Sequence, residues 1–192
     1  MFFINSTEYF FIESDVPLKN LDCCSRFPIY FKYIPVDIFL SNNTVQFDLQ
    51  QLQEMLIKAL HNELLVHTSI TQDIGYLYNE YYQDDSTFVE IKLNGEDIWI
   101  GFKYRLWEGS LNKQRSMTWI YNDIGGNIIF AITPFYPFLF CDPDEEPNYL
   151  PYEEWIKSYK PYLIAKLSRE TAEQWLAQAN SILEQIDKNN PH

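Results

Sequence analysis

Between Thr87 and Thr133 the hydrophobic period is two, and this alternation constrains the fold more than any other feature of the chain. Val89, Ile91 and Leu93 alternate with Phe88, Glu90 and Lys92, and Asn94-Gly95 offers the positive-φ residues of a tight hairpin. On the return, Ile98, Ile100, Phe102, Tyr104 and Leu106 fall on one face of a strand, with Trp99, Lys103 and Arg105 on the other. Met117–Tyr121 and Asn127–Thr133 then flank Asn122-Asp123-Ile124-Gly125-Gly126, whose glycines accept left-handed backbone. Four strands joined by short turns predict an antiparallel meander.

Earlier in the chain, Glu8–Ile12 and Phe27–Ile34 are aromatic and β-branched stretches bounded by turn formers, and both read as strands. Leu49, Leu52, Leu56, Ala59 and Leu60 recur at three or four, which predicts a helix over 48–66 with Asp48 as its N-cap. A second helix is expected over Thr71–Gln83, where Gly75 lowers the propensity by about 1 kcal/mol relative to Ala. Pro134, Pro137, Pro143, Pro147 and Pro151 make 133–151 an irregular acidic loop laid over the surface. Tyr152–Ser158 suits a short helix, and Ser168 caps a last helix over 168–187 whose stripe is Ala172, Trp175, Leu176, Ala179, Leu183 and Ile186, with Asp187–His192 expected to fray. The sum is a single α+β domain over 1–192, a central antiparallel sheet packed against helices near 48–66 and 168–187.

Charge narrows the function. The 14 Lys+Arg against 27 Asp+Glu leave a net charge of −13, opposite to what attachment to phosphates needs, so nucleic acid is not an expected partner. The longest apolar run, Phe130–Phe140, holds two prolines and is far short of the roughly 20 residues of a membrane-spanning helix. The first eight residues carry Glu8 and no basic start, so no secretory signal is expected. Three cysteines, two of them adjacent as Cys23-Cys24, make no disulfide framework and fit a reducing cytoplasm, where such residues are commonly small buried groups.

Catalytic signatures are missing. His61 and His67 are six apart, away from the four-residue spacing of a helical zinc pair, and the cysteines have no Cys-x-x-Cys spacing. There is no Gly-x-Ser-x-Gly elbow, and Gly125-Gly126 lacks the pattern of a phosphate loop. Asp142-x-Asp144-Glu145-Glu146 is acidic but lacks the glycine and terminal glutamate of a calcium loop. No cofactor, metal or catalytic residue is expected.

The placement of the acids says more. No Lys or Arg lies between Lys58 and Lys92, where Glu63, Asp73, Glu80, Asp84, Asp85 and Glu90 fall. None lies between Cys141 and Trp155 either, a stretch holding Asp142, Asp144, Glu145, Glu146, Glu153 and Glu154. Tyrosines are interleaved with both. Carboxylates steer a cationic partner and aromatic rings supply rigid contact area. The expected partner-binding residues are therefore Tyr81, Tyr82, Asp84 and Asp85 in the first segment and Asp142, Asp144, Glu145, Glu146 and Tyr149 in the second. In composition the chain resembles the immunity proteins with which bacteria neutralise basic nuclease toxins, which implies a binding protein for a basic toxin domain and no enzyme activity. Other readings of the same acids are a phage-type DNA mimic and a small hydrolase or transferase with scattered acids. An assembly component with Phe130–Phe140 as an exposed seam is a third.

Overall fold

The computed structural model describes residues 2–5, 7–33, 36–68, 70, 72–82, 90–93, 96–139 and 141–190. One antiparallel sheet runs in the order β1 (Phe2–Phe3), β2 (Tyr9–Ile12), β3 (Ile29–Tyr33), β4 (Val36–Ser41), β7 (Arg105–Leu111), β8 (Gln114–Asn122), β9 (Ile128–Pro134) and β10 (Leu163–Leu167). It curls into a half-barrel. Phe10 on β2 lies 6.2 Å from Phe130 on β9, whereas a flat sheet would hold strands five spacings apart about 24 Å from one another.

The curl exists because the concave side is filled. α1 (Val45–Leu60) and α5 (Arg169–Asn189) pack on each other there, and Trp175 of α5 meets Phe10 edge-on at 4.9 Å and Phe130 at 5.4 Å. Phe2, Phe31, Ile38 and Leu40 are buried in the same core. Each such side chain contributes on the order of 1.5–3 kcal/mol through burial. On the opposite face of β8 and β9 sits α2 (Ile74–Tyr82), so these two strands are covered on both sides. Their near-continuous apolar sequence has that cause.

Several expectations are corrected. The strands β5 (Glu90–Leu93) and β6 (Glu96–Trp99) pair antiparallel with Leu93 opposite Glu96, but they form a separate two-stranded sheet; Asn94-Gly95 itself lies outside the described residues. The returning strand does not continue to Leu106. A helical turn, α3 (Gly101–Tyr104), intervenes, and Gly101 is needed there because a Cβ would stand 2.9 Å from the ring of Tyr78. The strand that pairs with β8 is β7, joined to it by Asn112-Lys113, both at positive φ (49° and 70°) with Leu111 opposite Gln114. This is a two-residue primed turn in which Lys occupies the place usually taken by Gly.

Asp48 is not a cap. Thr44 caps α1 by accepting from the Phe47 amide, and Asp48 is buried in the first turn, its Oδ1 accepting from Ser41 Oγ (2.8 Å) and Asn43 Nδ2 (3.1 Å). The helix stops at Leu60 because Asn62 turns left-handed (φ 58°), and Leu65 then forms a parallel bridge to Asn122. Of the histidines, His61 is the C-cap of α1 and His67 lies beyond the helix. The end of α5 does not fray at Asp187; Asn189 Nδ2 donates to the carbonyls of Lys19 and Leu21. The three cysteines are exposed, not buried. Phe130–Tyr136 is buried, so this part of the apolar run is strand and core and no exposed seam. Among the described residues no helix is long and apolar enough to cross a membrane.

Candidate functional site

The site begins at the N-terminus of α2. Asp73 Oδ1 accepts from the Tyr76 amide at 2.9 Å, which caps the helix, and also from the Tyr159 hydroxyl at 2.7 Å. The same carboxylate therefore starts α2 and ties it to the segment after the Pro-rich loop. Ile74, Leu77, Tyr78 and Tyr81 face the core, which leaves Tyr76 and Glu80, four apart, on the other side of the helix. Gly75 lets α2 approach β9 closely, since a Cβ there would come within 2.2 Å of Thr133 Oγ1.

A second tie comes from Asn79, which is 1% exposed. Its Nδ2 donates to the carbonyls of Gly75 (2.7 Å) and Pro134 (3.0 Å), and its Oδ1 accepts from the Tyr136 amide (2.7 Å). Fixed in this way, the chain after β9 runs beneath α2 before it reaches the surface. Phe135 and Tyr136 are buried, contrary to a loop laid wholly over the outside, whereas Asp142–Glu145 are exposed.

Around Tyr136 the rings form a continuous cluster. Tyr136 contacts Phe138 (5.7 Å), Tyr152 (5.6 Å) and Trp155 (5.5 Å) edge-on, and Phe138 contacts Tyr149 (5.6 Å). Trp155 leads on to Tyr159 (5.9 Å), and Tyr159 to Tyr76 of α2 (5.6 Å). Tyr152 and Trp155 belong to α4 (Tyr152–Trp155), a single turn followed by a 3-10 turn to Ser158. Burial pushes the Tyr152 phenol well above its ordinary range, reinforced by the charges of Glu80 and Glu153. Burial likewise raises Tyr159, reinforced by Asp73. These hydroxyls stay protonated and remain donors.

Carboxylates border this cluster at Tyr152 and at Tyr159. Glu80 and Glu153 are exposed beside Tyr152, and Glu154 is paired with Lys157 at 2.6 Å. Asp142 accepts from the Asp144 amide (3.0 Å), and its carbonyl accepts from the amides of Glu145 and Glu146, so the acidic loop is a built turn. Beside it lies an open cleft of about 610 Å³ between the β7–β8 turn and the Pro-rich segment, with Phe138 and Trp155 in its wall and Glu146 and Lys113 its charged lining residues.

Of the expected site residues, Asp142, Asp144 and Glu145 are exposed, Glu146 and Tyr149 half-buried. Tyr81 is turned toward the core and is not on the shared face. Asp84 and Asp85 lie outside the described residues, as does the side chain of Tyr82. The residues that bring α2 and the second segment together are Tyr76, Glu80, Tyr152, Glu153 and Tyr159, none of them among the expected site residues. The i, i+4 spacing of Tyr76 and Glu80, off the apolar stripe of α2, was the available signal. No protein-family model matches the chain, and no curated protein or solved structure matches it.

Proposed function

We propose that the chain is a binding protein that neutralises a basic, nuclease-type toxin domain by occupying the surface the toxin presents to nucleic-acid phosphates, acting in the cytoplasm and not as an enzyme. The observation that carries this reading is the packing of the first basic-free segment on the aromatic cluster to which the second contributes: Tyr76 of α2 meets Tyr159 edge-on, Tyr159 meets Trp155 of the second segment, and the charge of Glu80 is felt at Tyr152. Glu80 from the first segment and Glu146 and Glu153 from the second thus border one aromatic cluster. Carboxylates of one sign on one face raise the encounter rate with a cationic protein, and rigid rings at the centre slow its release.

The test uses the toxin domain encoded beside the gene and measures association by surface plasmon resonance across a salt series. Steered association falls from on the order of 10⁸ M⁻¹s⁻¹ at low salt toward 10⁵–10⁶ M⁻¹s⁻¹ as charges are screened or removed. Glu80→Lys, Glu145→Lys, Glu146→Lys and Glu153→Lys combined should abolish the salt dependence and release nuclease activity. Absence of a basic domain at that locus, or unchanged kinetics in the combined variant, would remove the reading.

A further inference from the structure

A second aromatic surface lies on the opposite side of the early strands from the core. Along β1–β4 the side chains alternate, so that Phe2, Phe10, Phe31, Ile38 and Leu40 point inward and are buried. The outward positions would carry polar groups if water alone covered them. Lys32 and Asp37 do so, but five of the outward positions hold rings in a line. Phe3 and Tyr9 are cross-strand partners with centroids 5.1 Å apart, and Tyr9 is followed on the same strand by Phe11 at 6.1 Å. Phe11 is opposite Tyr30 at 5.7 Å, and Tyr30 opposite Phe39 at 5.8 Å. Phe3 is 46% exposed and the others are half-buried.

Cross-strand aromatic pairs stabilise a sheet by roughly 0.2–1 kcal/mol each, which accounts for one or two such pairs. It does not account for four successive contacts extending across four strands. Contiguous apolar area of this kind marks an interaction surface, and aromatic rings are the residues enriched at its energetic centre.

The rim decides what can sit there. Residues 2–15 and 29–41 contain Glu8, Glu13, Asp15 and Asp37 against one cation, Lys32, which is already paired with Asp37 at 3.3 Å. Asp37 borders the stripe, since the Lys32–Asp37 pair lies on the same two strands beside Tyr30 and Phe39, and the charges of Glu13 and Asp37 add to burial in raising the Tyr30 phenol. A second copy would bring Glu against Glu between chains of net charge −13, and like charges across an interface are strongly unfavourable. Nucleic acid is repelled for the same reason. A protein with an apolar centre and a Lys/Arg rim satisfies both features.

We propose that the stripe Phe3, Tyr9, Phe11, Tyr30 and Phe39 is a docking surface for a basic protein, distinct from the face formed by α2 and the Pro-rich segment. It does not rest on the toxin reading, because none of its residues belongs to that site. The probe is an Arg/Trp-alternating β-hairpin peptide, with a twin carrying Glu in place of Arg, titrated into the ¹⁵N-labelled full chain. The Arg peptide should shift the amides of β2 and β3, weaken with salt, and bind about tenfold less tightly to Phe11→Thr/Tyr30→Thr. The Glu twin should not bind, and Glu80→Lys/Glu153→Lys should bind like the parent. Near-ultraviolet circular dichroism checks the fold of the Thr variant, and Tyr9→Thr serves if it fails. The proposal is overturned by absence of shifts on β2 and β3, by shifts confined to α2 and residues 136–159, or by a parent dimer in sedimentation that Phe11→Thr dissociates.

Discussion

The indole Nε1 of Trp175 donates to the carbonyl of Phe3 at 2.9 Å, a bond between residues 172 apart in sequence that fastens the last helix to the first strand. β1 is only two residues long and, among the described residues, pairs with β2 alone, so its hold on the molecule depends on this contact and on the burial of Phe2 against the same indole. Trp175→Phe keeps much of the ring but leaves the Phe3 carbonyl without its donor, and should cost about 1–3 kcal/mol. Trp175→Ala should cost roughly 3–5 kcal/mol by adding a cavity. Urea denaturation followed by far-ultraviolet circular dichroism reads both, and equal losses would show that the hydrogen bond and not the ring is what matters.

Gly75 lies inside α2, where Ala would ordinarily be better by about 1 kcal/mol. The structure reverses that preference, because the added methyl would meet Thr133 Oγ1 at 2.2 Å and Cγ2 at 2.7 Å. Thr133 cannot easily yield; its hydroxyl accepts from Trp119 Nε1 at 2.8 Å in the buried core. Gly75→Ala should therefore destabilise by about 1–3 kcal/mol. An increase in the denaturation midpoint would show that α2 can lift off β9 without loss.

Thr118 and Trp107 are opposite one another on β8 and β7, both buried, and neither the Thr118 hydroxyl nor the Trp107 Nε1 has a hydrogen-bond partner among the described residues. Substituting a buried hydroxyl normally destabilises through its lost bond. Here there is none to lose among the described residues. Thr118→Val, of the same shape, should be neutral or stabilising by up to about 1 kcal/mol, and a loss beyond that in thermal denaturation would contradict the assignment of this hydroxyl as unpaired.

Asp48 carries a distinct pH signature. Burial raises its pKa above the ordinary 3.8, opposed by the hydrogen bonds from Asn43 and Ser41. A carboxyl with a raised folded pKa favours the fold when protonated, so its contribution is fully present below 3.8 and is lost as pH rises through the folded value. Asp48→Asn removes this titration while keeping Oδ1 as an acceptor. Relative to the parent, that variant should gain stability as pH goes from 4 to 7, and parallel stability curves over that interval would refute the burial argument.

What could be read from residues alone followed the range of the signal. The hairpin at Gly125-Gly126, the helix capped by Ser168 and the stripe through Trp175 and Ile186 are local patterns, and the structure has them. β10 was missed because Leu163–Leu167 lacks strict alternation and is a strand only through its pairing with β9. Asn112-Lys113 was missed because Lys replaces the glycine that announces such a turn. Asp48 was misassigned because an acid before an apolar run suits a cap, while the side chain that reaches the Phe47 amide belongs to Thr44. The acidic loop was legible from charge spacing. Its junction with α2 was not, since it depends on Asn79 reaching Pro134 and Tyr159 reaching Asp73, contacts 55 and 86 residues apart.

The buried phenols should make the protein sensitive to alkali in a defined interval. Burial raises Tyr104 and Tyr162 to about 12, and burial with the charges of Asp73 and Asp123 does the same for Tyr121, against an ordinary value of 10.0. Tyr104 donates to the Leu65 carbonyl and Tyr162 to Gln114 Oε1, bonds that the phenolate cannot make. A raised folded pKa means that the unfolded chain loses its protons first, so the stability these groups confer is whole below pH 10 and declines as pH rises toward 12. Each such phenol removes less than about 1.4 kcal/mol per pH unit within that window, and the half-buried Tyr162 the least. Tyrosinate absorbance and circular dichroism should therefore change together in one cooperative step for these residues. Tyr121→Phe should make the decline shallower. Smooth ionisation of all the tyrosines near pH 10, with the circular dichroism intact, would show that these rings are open to solvent.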